Sequence, residues 1–339
     1  MRIALTYDLR EDYRALGFAE HEVAEFDRRD TIDSLEDAIR AAGHEVVRVG
    51  HAQALAAALL AGERWDLVFN ICESLYGFGR EALVPALCEH FRIPTVFSDP
   101  LVCAVTLHKV MAKRVLRDQG VPTTDFREVT CLADLARVDL PFPLFVKPVA
   151  EGSSKGVALT SKVRNAAELE RTCSEVLARF SQPVLVEPFL AGREFTVGIL
   201  GTGEKARSLG ALEVVLKASA EAEIYTYANK EDCEIHVQYL VARDALAERA
   251  CAIAVQAWRA LGCRDGGRVD LRADGAGRLQ VLEANPLPGL HPEHSDLPIL
   301  CSQIGLPYRR LIAEILESAI ARIEATRSLS CEVAGTCGS

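Results

Sequence analysis

"GRVDLRADGAGRLQVLEANPLPGL", residues 267–290, alternates apolar and polar side chains on both sides of a glycine-rich break. Period-two alternation marks a strand with two different faces, and "GAGR" at 275–278 supplies a turn, so the stretch reads as a β-hairpin. With a four-residue turn, Asp270 stands opposite Glu283. Directly paired side chains have Cβ atoms about 5 Å apart, close enough for both carboxylates to share one cation. Asn285 lies two residues beyond Glu283 and Arg268 two before Asp270, so all four point to one face. Oxygen donors of Asp, Glu and Asn type suit Mg²⁺, which takes few protein ligands and completes its shell with phosphate oxygens and water. The plainer alternative leaves both acids on the solvent face of an edge hairpin. Against it, Glu283 follows apolar Val281 and Leu282 and runs into "ANPLPG", which reads as the entry to a buried loop. Beside a metal pair, Arg268 would hold a phosphate or a developing oxyanion. Its alternative is a surface cross-strand ion pair.

A second stretch, "FVKPVAEGSSKGV" at 145–157, runs an apolar strand into a lysine and then into small residues and hydroxyls. Gly152 to Gly156 satisfy G-x-S-x-G, the nucleophile elbow of hydrolases. An elbow needs a helix after the serine, whereas "VALTSKV" alternates like a strand. The expectation is therefore a hairpin loop whose Ser153 and Ser154 hydroxyls and backbone N–H groups wrap a triphosphate. Lys147, at the end of a buried strand, needs a counter-charge that a nucleotide phosphate would supply. Lys109, on the basic amphipathic helix expected over 106–120, is a second phosphate contact or else a solvated surface lysine. In "VLVEPFLAGREFTV", Glu187 ends one strand and Glu194 starts the next. Carboxylates so placed hold ribose hydroxyls or an adenine amino group; the alternative is a pair of loop acids.

The bulk composition, nearly half apolar and a quarter charged, is ordinary for a soluble globular protein. A net charge of -10 argues against a nucleic-acid partner, which would need a basic face. The eleven cysteines are scattered, never as C-x-x-C, and mostly within apolar runs, so they read as small core residues in a reducing compartment. The start "MRIALTYDLRED" is a strand followed by charges rather than a signal peptide, and "ALAAALLA" from Ala54 is too short to cross a bilayer. A cytoplasmic protein without membrane association is expected.

Residues 1–98 alternate strands and helices: strands at 2–7, 44–50, 66–71 and 94–98, helices at 30–43, 51–65 and 80–93. Asp30 or Thr31 would cap the first helix and Gly43 would stop it. That alternation implies a Rossmann-like parallel sheet covered on both faces. A second domain is expected over 99–186, with a strand pair at 142–149 and 156–161 and a helix at 165–180. A third, over 187–325, holds several strands, a long helix at 242–262, the opening hairpin and a closing helix at 307–325. Residues 326–339 show no periodicity and are expected to be disordered.

The motifs "VKPVAEGSSKGV", "EPFLAGREFTV", "GRVD" and "LEANPLPGL", in this order and spacing, resemble the D-alanine–D-alanine ligase family of the ATP-grasp superfamily. The resemblance implies an α/β fold in which a Rossmann-like domain precedes two α+β domains sandwiching ATP. It implies an ADP-forming carboxylate–amine ligase that joins two amino acids through an acyl phosphate, with peptidoglycan as the destination. Lys109, Lys147 and Lys230 would contact ATP phosphates, with Ser153 and Ser154 in the loop closing over them. Glu187, Pro188, Phe189 and Leu190 would form the adenine hinge, and Glu194 would bind ribose. Asp270, Glu283 and Asn285 would hold two Mg²⁺ ions, or Mn²⁺ in their place. Arg268, the Gly289 N–H and Ser153 would serve catalysis, and Ser295 the second substrate's carboxylate. A homodimer is implied as well.

Departures from the family pattern bear on the substrate. The glycine-rich turn after the first strand is replaced by "TYDLREDYRALGFAEHEVAEFDRRD" at 6–30, where Asp8, Glu11 and Asp12 are candidates for the first substrate's ammonium. The family's histidine-bearing stretch becomes "NICESLYGFGREA" at 70–82, and Glu231 follows Lys230 where the family has tyrosine. Three readings stand: a D-alanine–D-alanine ligase, a ligase of the same mechanism for a different amino-acid or peptide pair, and a non-catalytic nucleotide-binding regulator. The complete set of Asp270, Glu283, Asn285, Arg268 and both lysines speaks against the third.

Overall fold

The computed structural model describes residues 1–152, 155–216 and 237–336. Strand β1 (Arg2–Thr6) lies between β2 (Glu45–Gly50) and β3 (Leu67–Asn70), and both neighbours run parallel to it. Ile3 to Thr6 are all buried, as a central parallel strand covered on both faces requires. Helices α1 (Arg10–Ala15), α2 (Arg29–Ala41), α3 (Ala52–Leu60) and α4 (Leu83–His90) belong to this layer. The cap of α2 is Arg28 rather than Asp30 or Thr31, while Gly43, at φ +88°, ends it as expected.

The strand expected at 94–98 is reduced to a bridge between Thr95 and Val68. Val96 N–H still donates to Val68 O at 2.8 Å. At Phe97 the chain turns away with φ +71°, and its amide goes instead to Asp265 Oδ2 at 2.9 Å. Asp265 is fully buried and also receives Thr202, Ser318 and Arg322. One carboxylate thus ties the first layer to the carboxy-terminal part, and its demand for donors outcompetes the ladder.

The basic helix breaks at His108 into α5 (Pro100–Leu107) and α6 (Lys109–Asp118). Two antiparallel sheets follow. The smaller has the order β4 (Arg127–Val129), β7 (Val184–Pro188), β5 (Leu144–Pro148), β6 (Lys162–Val163), with α7 (Ala166–Phe180) packed on it. The larger has the order β10 (Val237–Ala242), β9 (Arg207–Leu216), β8 (Glu194–Leu200), β11 (Gly266–Ala273), β12 (Leu279–Asn285) and is covered by α8 (Ala245–Ala260). Strand β7 lies wholly in the smaller sheet, through Pro188.

The strand expected at 156–161 is absent: residues 159–161 form a 3-10 turn, and only Lys162–Val163 pairs with β5. Gly156 folds back onto Pro148 so closely that a Cβ there would lie 2.5 Å from the proline ring. Pro148 has no N–H to extend a ladder, which ends the hairpin early.

The opening hairpin forms, and Asp270 pairs with Glu283 and Arg268 with Asn285. The route to that register differs from the expected one. The connection spans 274–278, one residue longer than a four-residue turn, and a bulge at Leu282 restores the pairing. Gly267 is needed here, because a Cβ would sit 2.4 Å from Asn285 O and 2.5 Å from the Trp258 ring. Beyond it, α9 (Asp296–Gln303) leads to α10 (Tyr308–Thr336). The closing helix packs on β1–β3 in a core with Leu287, Leu290 and Leu297. It continues past 326, where an aperiodic tail was expected; no glycine or proline interrupts 308–334 to stop it. Cys72, Cys88, Cys103, Cys173, Cys263 and Cys301 are buried free thiols, as core residues should be.

Candidate active site

The two antiparallel sheets and the start of α6 enclose a cleft. Lys109, Lys147, Glu187, Pro188, Phe189, Leu190, Glu194, Arg268, Asp270 and Glu283, all named from the sequence, line it together. A second cleft, lined by Glu25, Glu73, Glu81, Asn285, Gly289, Ser295 and Asp296 among others, opens beside it. Lys109, Glu151, Arg268 and Glu283 belong to both, so the clefts meet at the carboxylate hairpin.

In the first cleft, Lys147 finds its counter-charge inside the protein. Its Nζ lies 3.0 Å from Glu187 Oε1, while Lys113 Nζ lies 2.8 Å from Oε2. Thr124 Oγ1 donates to the same Oε2 at 2.6 Å. Burial pushes the Glu187 carboxyl up, but the two ammonium groups outweigh it and hold it well below the usual range. One carboxylate serves two ammoniums unequally: burial pushes Lys113 down, whereas Lys147, despite its burial, is held up by Glu187. Glu187 therefore turns its side chain to the lysines. Lys113 was not singled out in the sequence, although it sits four residues after Lys109 on one helix face.

Glu194 is pushed up by burial, with Arg272 Nη1 3.1 Å from its Oε2. The Arg272 guanidinium lies 5.2 Å from the Phe189 ring centre and Lys162 Nζ 4.1 Å from it, from which the first cleft gains a cation-lined aromatic wall. Arg272 was legible in principle, two residues beyond Asp270 and on its face.

At the hairpin, Asp270 accepts from Thr196 Oγ1 at 2.8 Å, from Asn285 Nδ2 at 3.2 Å and from Arg268 Nη1. Burial pushes Asp270 up; Arg268 opposes this, while Glu283 and Asp296 add to it. Lys109 Nζ approaches Glu283 Oε2 at 3.4 Å and donates to Glu151 O at 2.5 Å. Two opposed carboxylates, each already drawing a cationic side chain, are a donor set that fits a divalent cation. Among the described residues no three His, Cys, Asp or Glu side chains converge as a metal cage. A cation here would complete its shell with phosphate oxygens and water.

In the second cleft, Ser295 Oγ accepts from His291 N–H at 3.0 Å and lies so near Gly289 that a Cβ there would be 2.8 Å from it. Ser153, Ser154 and Lys230 lie outside the described residues. Asp8 accepts from Tyr13 and from the Ser74 amide, and Glu11 pairs with Arg29. From the 6–30 segment it is Glu25 that lines the cleft. Its Oε1 accepts from Gly152 N–H at 2.7 Å and its Oε2 from Arg80 at 2.8 Å, while Arg80 also donates to Ala150 O. Glu25 and Glu73 lie outside helices and strands, and Arg80 and Glu81 in a 3-10 turn ahead of α4, so no single period brings the four together.

A family model for the D-Ala–D-Ala ligase carboxy-terminus matches residues 115–317. The D-alanine–D-alanine ligase of Bordetella avium is 36% identical over 258 residues, 74% of this chain and 78% of that protein. That of Xylella fastidiosa is 33% identical over 309 residues, 89% and 96% of the two chains. A solved D-alanine–D-alanine ligase from Bacillus anthracis, complexed with ATP, superposes with a TM-score of 0.70 at 22% identity, covering 96% of this chain and 99% of that one. A D-Ala:D-Ser ligase from Enterococcus faecalis gives 0.72 at 20% identity, covering 94% and 99%. No helix among the described residues is long and apolar enough to cross a membrane. The chain belongs to the D-alanine–D-alanine ligase family and is an ATP-dependent ligase that forms a peptide bond and releases ADP.

Proposed function

We propose that the first cleft takes ATP and the second takes two amino acids, with D-alanine as donor and acceptor. The observation that carries this reading is the junction of the clefts at Lys109, Arg268 and Glu283. There a carboxylate from one side would meet a γ-phosphate from the other. The donor carboxylate attacks that phosphorus and ADP leaves, giving an acyl phosphate whose phosphate is a good leaving group. The acceptor amine then attacks the acyl carbon, and inorganic phosphate departs through a tetrahedral intermediate. Arg268 and the Gly289 N–H would stabilise its oxyanion, and Ser295 would hold the acceptor carboxylate. Lys109 and Lys147 would contact phosphates, Phe189 and Leu190 the adenine, and Glu194 the ribose. Asp270, Glu283 and Asn285 would hold Mg²⁺, which supplies positive charge at the phosphate oxygens. Reaction in the cytoplasm, as a homodimer, completes the proposal; the buried free thiols suit a reducing compartment.

The test is Mg²⁺-dependent phosphate release from ATP with D-alanine, then with a panel of D- and L-amino acids, with the dipeptide identified by mass spectrometry. Release and D-alanyl-D-alanine together support the proposal. Turnover of another pair alone would replace D-alanine by that pair. A specific observation favours this second reading: three acids of the second cleft, Glu25, Glu73 and Glu81, come from the two stretches that depart from the family pattern.

A further inference from the structure

The second cleft carries more negative charge than its own cations balance. Glu25, Glu73, Glu81, Glu151, Glu283 and Asp296 line it, against Lys109 and Arg268, with His294 the other titratable group. Three of these acids have partners: Glu25 with Arg80 at 2.8 Å, Glu151 with Lys155 at 3.0 Å and Glu283 with Lys109 at 3.4 Å. Glu73 and Glu81 make no hydrogen bond or ion pair with any described residue. Asp296, only 5% exposed, has Oδ2 3.5 Å from Arg268 and a buried Oδ1 with no hydrogen-bond partner among the described residues.

An amino acid such as alanine brings one ammonium and one carboxylate, so it adds no net charge. With two such amino acids in the cleft, two of its carboxylates would take the ammoniums, while the substrates' own carboxylates leave the net charge of the site as it was. Unpaired buried carboxylates are costly, and a neighbouring cation is what removes the cost. Burial, joined by the other acids nearby, pushes Glu73 well above the usual carboxylate range, and burial pushes Glu81 up to about 7. A cation placed between them would reverse that push.

We propose that the amino-acid cleft is built for a substrate with a second cationic group beside its α-ammonium, a diamino acid or another basic amino acid. The inference rests on the ligase reading and, within it, on the second choice of substrate, in which another amino acid takes the place of a D-alanine. Glu73 and Glu81 receive the second cation, and Asp296, which lines the same cleft, keeps its Oδ1 without a hydrogen-bond partner among the described residues. A neutral residue at these positions would leave alanine binding intact and remove the selection for charge, so the acids are specificity residues.

The experiment keeps binding apart from turnover. The full chain, with Mg²⁺ and a non-hydrolysable ATP analogue, is titrated calorimetrically with alanine, 2,4-diaminobutyrate, ornithine and lysine, each as D and L forms. Phosphate release from ATP is then measured on the same panel. A diamino acid bound at least about tenfold more tightly than either alanine supports the proposal. Alanine bound as tightly, or no diamino acid bound at all, overturns it whatever the turnover. Binding with that preference but no phosphate release from any amino acid sinks the ligase reading alone. Glu73→Gln with Glu81→Gln, which keeps shape and removes charge, lowers the diamino-to-alanine preference about tenfold. Asp296→Asn, in a separate chain, does so independently if Asp296 contributes. A preference unchanged in both variants, with thermal unfolding showing them folded, counts against the assignment.

Discussion

The two clefts that meet at Glu283 handle buried charge in opposite ways. In the nucleotide cleft the protein balances its own acids: Glu187 with two lysines, Glu194 with Arg272, Asp270 with Arg268. In the amino-acid cleft Glu73, Glu81 and one oxygen of Asp296 have no such match. The first is organised before any ligand arrives, and its rigid walls are strands. The second leaves its balance to the substrate. Within one family, the internally matched cleft can keep its chemistry while the unmatched one changes partner.

Three substitutions probe the matched side, beginning with the largest effect. Asp270→Asn is expected to lower Mg²⁺-dependent phosphate release by on the order of 10³-fold, because it removes the charge that opposes Arg268 and would hold the metal. Thr196 and Asn285 still bracket the side chain, so circular dichroism should show a folded protein. Near-normal release in a folded variant would remove Asp270 from the site. Lys113→Met takes away one of the two ammoniums on Glu187 and leaves that carboxylate buried with Lys147 and Thr124. A stability loss of about 3 kcal/mol is expected from urea unfolding. A neutral result would mean that internal matching does not organise this cleft.

Gly267→Ala is smaller and sharpens a different point. A Cβ at 267 would meet Asn285 O and the Trp258 ring, neither of which can yield cheaply. A loss of about 1–3 kcal/mol is expected in the same unfolding experiment. A larger proportional fall in phosphate release would show that the Arg268–Asn285 pairing, and not stability alone, depends on that close approach.

The contrast also explains what the sequence could reveal. Strand period placed Arg268, Asp270, Glu283 and Asn285 on one face, although the turn was read one residue short and the bulge at Leu282 hid the error. Period-two logic tolerates such a pair of slips because only the final register matters. It failed at 94–98 and 156–161, where a distant carboxylate or a close glycine overrules local pattern. Lys113 and Arg272 carried usable spacing signals. Glu25, Glu73 and Glu81 carried none, since their meeting depends on how two loops approach Gly152.

The least effect is expected from Glu81→Gln, and it is the one that compares the clefts directly. Glu81 is half-buried near Arg80, Glu25, Lys109, Glu283 and Glu73, and desolvation raises its carboxyl to about 7 in the folded chain. In the unfolded chain an ordinary glutamate ionises near pH 4.3. Between those values the folded state holds a proton that the unfolded state has lost, so stability falls as pH rises, and the fall ends above about pH 7. Glu187 behaves in the opposite sense. Its folded carboxyl is depressed, so its contribution is complete above the unfolded value and is lost as pH drops below it. Melting temperatures across a rough span of pH 3 to 8, which takes in the Glu81 window and the start of the Glu187 loss, should show that acid-side loss in the parent and in Glu81→Gln alike. Only the decline between about pH 5 and 7 should flatten in the variant. An unchanged decline would mean that Glu81 is already matched, and the difference between the two clefts would vanish with it.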